Sequence, residues 1–258
     1  MPKSAIQVID RAARLLDLIA SSDNSVPLKV LAIDADLHPS SAFRILSSLT
    51  AHGYVERDGA GRYQLGRKLL QLGGRVQAHV SLREDARPIM EALRDSLHET
   101  INLTVRDGNE VVYIERAITN KRMMRVEQVI GSRAPLHVTA VGKLFLAEES
   151  DQGFESYTRA TGLAPLTPQT ITHPESLRAE CIKSLESEYA VDSEEAEPGV
   201  SCVAVPVRDH SGCMVAAISI SAPTSRHEKG WVPQLQRAGR ELSSRLGYYG
   251  ANNNPISQ

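Results

Sequence analysis

Aromatic side chains are scarce in this 258-residue chain: Phe, Trp and Tyr make up 4% of it, so its core must be largely aliphatic. Cysteine is scarcer still. Cys181, Cys202 and Cys213 lie far apart without a CxxC pair, which indicates neither a disulfide framework nor a zinc site, and no metal or cofactor is expected. No apolar run could span a bilayer, and no leading stretch resembles a signal peptide. The expectation is a cytoplasmic protein without a membrane partner. Charge of one sign is lacking too: 29 Lys and Arg against 31 Asp and Glu leave a formal net charge of -2. That argues against a generic polyanion binder but permits a basic module on an acidic body. The N-terminal part fits such a module, with Lys3, Arg11, Arg14, Lys29, Arg44, Arg57, Arg62, Arg67 and Lys68. The length exceeds what one such module needs and suggests two domains.

What is present is clearest from Leu28 to Leu65. Leu28, Leu31, Ala32, Ala35, Leu37, Ala42, Ile45, Leu46 and Leu49 recur at helical spacing, interrupted at Asp36-Leu37-His38. This predicts two short helices at a steep angle, with Ala32 small enough for close packing. The second helix, from Pro39 to His52, opens with Pro near its first position and stops before Gly53. Its outward face carries Ser40, Ser41, Arg44, Ser47 and Ser48, short hydroxyls and one guanidinium suited to a major groove. Strands at Tyr54–Arg57 and Arg62–Leu65 flank a turn at Asp58-Gly59-Ala60-Gly61, placing Arg57 and Arg62 on a wing where they can touch backbone phosphate. The expected partner is double-stranded operator DNA, with Ser40, Ser41, Arg44, Arg57 and Arg62 as contacts. Upstream, Ala12, Leu15, Leu16 and Ile19 predict a first helix, ending in a loop at Ser21 to Ser25.

Beyond the wing, Arg67 to His79 predicts a linker helix that bends or frays at Gly73-Gly74. From Ser81 the pattern changes. A helix is predicted over Arg83–Leu97, then strands at Ile101–Arg106 and Glu110–Ile118 around an Asp107-Gly108 turn, and a third strand at Met123–Ile130. Helices follow at Thr139–Ala147 and Pro174–Glu188. Val200–Arg208 and Cys213–Ser221 predict apolar strands, and Val232–Tyr248 a final helix before a polar tail at Asn252-Asn253-Asn254. The fold class is therefore α+β: a winged helix-turn-helix over 4–66, a linker over 67–80, and over 81–250 a domain with an antiparallel sheet flanked by helices.

Two constellations in the second domain suggest a ligand. Leu136 to Leu144 passes from strand to helix, with Thr139 as N-cap, leaving the backbone amides of Ala140 and Val141 at the positive end of the helix dipole. Such amides suit an anion, and a carboxylate is the natural guest, although an ordinary capped helix would look the same. By alternation Cys202 and Ala204 share one strand face, and Ala217, Ser219 and Ser221 share a face of the next. A thiol and two hydroxyls among small aliphatics could line a polar-tipped pocket. No buried Arg or Lys is evident in this constellation. The acidic run Asp192 to Glu197 reads as a solvated loop, with Asp192 set apart by the resemblance described next.

The chain resembles the isocitrate lyase regulator (IclR) family of bacterial transcription factors from about Ser4 to Leu246. The resemblance rests on the winged helix-turn-helix, Leu136 to Lys143, Glu194 to Cys202, Val205 to Gly212, and Ser219-Ile220-Ser221-Ala222-Pro223, in that order and spacing. It implies a GAF-like effector domain and a homodimer or dimer of dimers on a palindromic operator. It also implies a small organic acid effector, aliphatic or aromatic, held by the amides at Ala140 and Val141 and by Asp192, Cys202, Ser219 and Ser221. Family members often carry smaller residues at the Ala140 and Val141 positions, and usually Gly where Asp36 stands; Asp tolerates the left-handed conformation better than most residues. Two rival readings are an enzyme with Cys202 as nucleophile and His137 or His210 as base, and an architectural DNA protein without a ligand. The latter leaves a large non-basic second domain unexplained.

Overall fold

In the computed structural model of the chain, residues 6–22, 24–77, 81–119, 129–228 and 230–250 are described. The chain divides into two compact units between Val80 and Ser81.

The first unit packs α1 (Gln7–Ala20), α2 (Leu28–Asp34) and α3 (Pro39–Ala51) around Leu15, Ile19, Leu31, Ala35 and Leu46, with Val55 and Tyr63 closing the core from the wing. Ala32 is buried, as close packing of α2 requires. The turn between α2 and α3 is made by Asp36 at φ 55, the left-handed position that the sequence asked Asp to fill. Strands β1 (Val55–Arg57) and β2 (Tyr63–Leu65) pair antiparallel. The wing is held more firmly than its sequence indicates. Val26, in the loop after α1, exchanges two 2.8 Å backbone hydrogen bonds with Tyr63, and Ser25 donates to the Asp58 carboxylate at the wing turn. Helix α4 (Lys68–Gln77) forms the expected linker helix and includes Gly73 and Gly74.

The second unit is one antiparallel sheet between helical layers. After α5 (Leu82–Leu97) come β3 (Ile101–Asp107) and β4 (Glu110–Ala117). Next are β5 (Arg133–Pro135), a single turn of tighter helix at Leu136–Val138, and α6 (Ala140–Ala147). Then follow α7 (Asp151–Thr161), α8 (Pro174–Ser187), β6 (Ala190–Ser193), β7 (Val200–Arg208), β8 (Met214–Pro223) and α9 (Trp231–Arg245). Strand order is β5-β4-β3-β8-β7-β6. Alternation along each strand fills two separate cores. Ile101, Leu103, Val203, Val205, Ile218 and Ile220 face α5 and α9, whereas Tyr113, Cys202, Ala204 and Ala217 face α6, α7 and α8.

Several sequence expectations need correction. Val129 and Ile130 form no strand; the remainder of the strand expected at Met123–Ile130 lies outside the described residues, as does the Asn252-Asn253-Asn254 tail. The edge strand is instead β5, three residues long and too short to leave a periodic signal. Leu136 to Val138 is a helical turn rather than the end of a strand. Helix α7 was not anticipated, although Ser150 caps it by accepting from the Gly153 amide and Gly162 ends it at φ 60. The final helix stops at Arg245, before Gly247 at φ 88.

Candidate effector site and nucleic-acid interface

Helix α3 presents Ser40, Arg44, Ser47 and Ser48 to solvent, with Ser41 half-buried. Its start is organised by His38, whose Nδ1 accepts from the Ser40 amide at 3.3 Å and lies 2.7 Å from Ser40 Oγ. The Ser40 hydroxyl is thereby partly committed to the cap. Arg62 is exposed on the wing. Arg57 is not a free wing side chain. Its guanidinium lies 4.7 Å from the Tyr63 ring centroid and 5.8 Å from that of Phe43, and Nη2 donates to Tyr63 Oη at 2.7 Å. This fixes the wing against α3 and orients the remaining donors of the guanidinium. Phe43, 44% exposed beside Arg44, is an interface candidate that the sequence reading missed.

In the second unit, Thr139 caps α6: its Oγ1 accepts from the Gly142 amide at 3.0 Å, and its carbonyl accepts from Lys143 N at 3.0 Å. The helix offers the Ala140 and Val141 amides no acceptor of its own. Gly142 is needed here, since a Cβ would fall 2.0 Å from the Leu136 carbonyl oxygen. Ala140 and Val141 share one buried cluster with Cys202, Ala204 and Ala217, so helix start and sheet face are brought together.

On that face the strands set polar residues side by side. Asp192 stands opposite Cys202, Cys202 opposite Ser221, and Ser219 between Ala204 and Asn102. Arg116 Nε donates to Asn102 Oδ1 at 3.1 Å, Asn102 Nδ2 to Ser221 Oγ at 3.3 Å, and Ser221 Oγ to Cys202 Sγ at 3.4 Å. Ser219, wholly buried, has no partner in hydrogen-bond geometry for its hydroxyl, although with Ser221 it is among the groups that hold the Cys202 thiol lower than burial alone would. All six residues expected to hold an effector are buried. Asn102 and Arg116 were not anticipated, because their roles come from register across three strands.

Electrostatics in this region depart further from expectation. Glu195 is not solvated: it is buried and accepts from Lys143 Nζ at 2.5 Å, while Lys143, 1% exposed, also donates to the Val191 carbonyl at 2.9 Å. The site therefore does contain a buried cation, on the helix that supplies the amides. Asp192 Oδ1 accepts from the Glu195 amide at 2.7 Å, yet burial pushes its carboxyl up to about 7, with Glu195 adding to the rise. Burial likewise pushes the Cys202 thiol up to about 12, with the Asp192 charge adding to it, which disfavours a thiolate nucleophile. His137 is spent on structure, with Nδ1 2.8 Å from Tyr157 Oη and Nε2 3.1 Å from the Ala164 carbonyl. His210 is exposed in the β7–β8 turn, past the end of the strand at Arg208, and Cys202 lies six residues back from that end, about 20 Å of strand. Neither histidine is placed to act as a base for Cys202.

Comparison with known proteins identifies the family of both units. Residues 8–59 match the family described as the IclR helix-turn-helix domain, and residues 75–246 match the bacterial transcriptional regulator IclR C-terminal domain. The HTH-type transcriptional regulator XynR of Escherichia coli (strain K12) is 35% identical over 250 residues, covering 94% of this chain and 98% of its own. The HTH-type transcriptional repressor AllR of the same strain is 32% identical over 246 residues, covering 93% and 90%. A crystal structure of an IclR-type regulator from Silicibacter sp. TM1040 superposes with a TM-score of 0.85 at 25% identity, covering 94% of this chain and 96% of that one. XynR and AllR are named as regulators, not enzymes.

Proposed function

The chain belongs to the IclR family of bacterial transcriptional regulators, and on that premise we propose that it binds a palindromic operator and senses a small organic acid in its C-terminal domain. The observation that carries the sensing is the partnerless Ser219 hydroxyl, in the same buried region as Asp192, Cys202, Ser221 and the first turn of α6, whose Ala140 and Val141 amides have no acceptor within their own helix. Amides at a helix N-terminus favour an anion. Lys143 offsets one of the two acidic side chains already buried there, and the raised Asp192 allows the other to be neutral when a carboxylate enters. Arg44 reads a base edge, Ser40 and Ser41 supply short hydroxyl contacts, and Arg57 and Arg62 grip phosphates. One recognition helix buries too little surface for tight specific binding, so the active species is a homodimer or a dimer of dimers.

A thermal-shift screen of small aliphatic and aromatic carboxylates against the full chain tests the ligand. A hit should raise Tm with ligand concentration and change operator affinity in a footprint. Failure of every acid to do either would overturn the reading. A monomer in light scattering at micromolar concentration that still gave sharp footprints would overturn the oligomer.

A further inference from the structure

The sheet face beneath α6 carries a second orphan. Thr104 of β3 is wholly buried, and its Oγ1, like Ser219 Oγ, has no hydrogen-bond partner. Register places it on the same face: Thr104 stands opposite Ala217 on β8 and Tyr113 on β4, both in the cluster beneath α6. Ser219 stands opposite Asn102, two residues away along β3, so Thr104 and Ser219 are diagonal neighbours roughly 7–8 Å apart at the backbone. Each has one small strand neighbour, Ala204 opposite Ser219 and Ala217 opposite Thr104, and one larger one, Asn102 and Tyr113 respectively. A buried hydroxyl without a partner is a cost to the fold, and two on one face within reach of one small group ask for a common acceptor or donor.

We propose that Thr104 is a specificity-determining contact of the effector site: with Ser219 it forms a second polar subsite that takes a hydroxyl or keto oxygen of the ligand. The acid sensed then carries oxygen along its chain as well as in its carboxylate. This rests on the reading of α6 and its facing strands as the effector site, and it narrows that reading from carboxylates in general to hydroxy and keto acids. Asn102 is a positioning residue here, since its two amide ends are taken by Arg116 and Ser221 and it holds the row beside the subsite in place.

Trihydroxybutyrate, the sugar acid, and butyrate, its counterpart without hydroxyls, are suitable probes for calorimetry on the full chain. The parent should bind trihydroxybutyrate more tightly. Thr104→Val keeps the shape and removes only the hydroxyl, so it should weaken trihydroxybutyrate about three- to tenfold and leave butyrate unchanged. Its Tm should equal or exceed that of the parent, which separates a lost ligand contact from a damaged fold. If butyrate binds, Ser219→Ala weakens it, and Thr104→Val alters neither acid, the effector site stands and this inference falls. If trihydroxybutyrate does not bind the parent at millimolar concentration while another carboxylate from the wider screen does so without loss in Thr104→Val, this inference falls and the effector site stands; if no acid of the screen binds, both fall.

Discussion

Lys143 Nζ and Glu195 Oε1 meet at 2.5 Å in a place that solvent barely reaches, across 52 positions of sequence. The pair ties α6, whose first turn carries the Ala140 and Val141 amides, to the loop that follows Asp192. Such pairs are poor evidence of net stability, because two desolvated charges cost nearly what their attraction returns. Removing one partner is another matter. Lys143→Met should destabilise the chain by about 3–5 kcal/mol in urea unfolding, since Glu195 would stay buried without its cation. Lys143→Met with Glu195→Leu should recover most of that loss. Equal stability of the single and double variants would mean that Glu195 escapes to water when unpaired.

Asp192 makes stability depend on pH in an unusual direction for a carboxylate. Its folded value of about 7, raised from 3.8 chiefly by burial, favours the protonated form in the native state. The contribution is fully present below the unfolded value, declines as pH rises from about 4 to 7, and is lost above it, about 4 kcal/mol in all. Asp192→Asn should flatten the decline between pH 5 and pH 7 in urea midpoints. An anionic effector should bind more tightly at pH 6 than at pH 8, and that difference should also vanish in Asp192→Asn. A parent midpoint that rises over this range would contradict the assignment.

On the DNA side, Arg44→Ala should cost about 1–3 kcal/mol at one operator position and relax preference there. Arg62→Ala should weaken binding to all sequences and reduce the salt slope by about 1. Arg57→Ala should do the same. Because Tyr63 Oη holds the Arg57 guanidinium, Tyr63→Phe should shift affinity in the same direction by a smaller amount. Unchanged footprints for Arg44→Ala would remove α3 from the groove.

How far these features were legible depended on the range of the interaction that makes them. Asp36 in its turn, Thr139 as a cap and Pro39 at the start of α3 are local matters of backbone conformation, and the chain itself displays them. Strand β7 was legible from its apolar stretch Cys202 to Val207. Strands β5 and β6 were not, because three or four residues carry no period, and β6 runs straight into acidic residues. Glu195 looked solvated because its partner lies on another element, and Thr104 looked ordinary because its isolation is visible only once α6 covers it. Asp192, Cys202, Ser219 and Ser221 gather on one sheet face, Asp192 singled out in the sequence by the family resemblance alone, but Asn102, Arg116 and Lys143 join them only through the fold.

Ser219 offers a test in which stability and binding should move in opposite directions. Its hydroxyl is buried without a partner, so in the absence of ligand it is a cost to the fold. Ser219→Ala should leave the chain as stable as the parent or up to about 1 kcal/mol more stable, since the smaller side chain sheds an unsatisfied group at the expense of one atom of packing. If the hydroxyl contacts the effector, the same change should weaken binding by about 0.5–1.5 kcal/mol for a neutral hydrogen bond, or 1.5–3 if the acceptor is the carboxylate. Operator affinity without effector should stay near the parent value, because the substitution lies in a different unit from α3. A purely structural serine would show the reverse, with stability lost and calorimetric affinity for the effector intact. That result would move the ligand away from the face of β7 and β8.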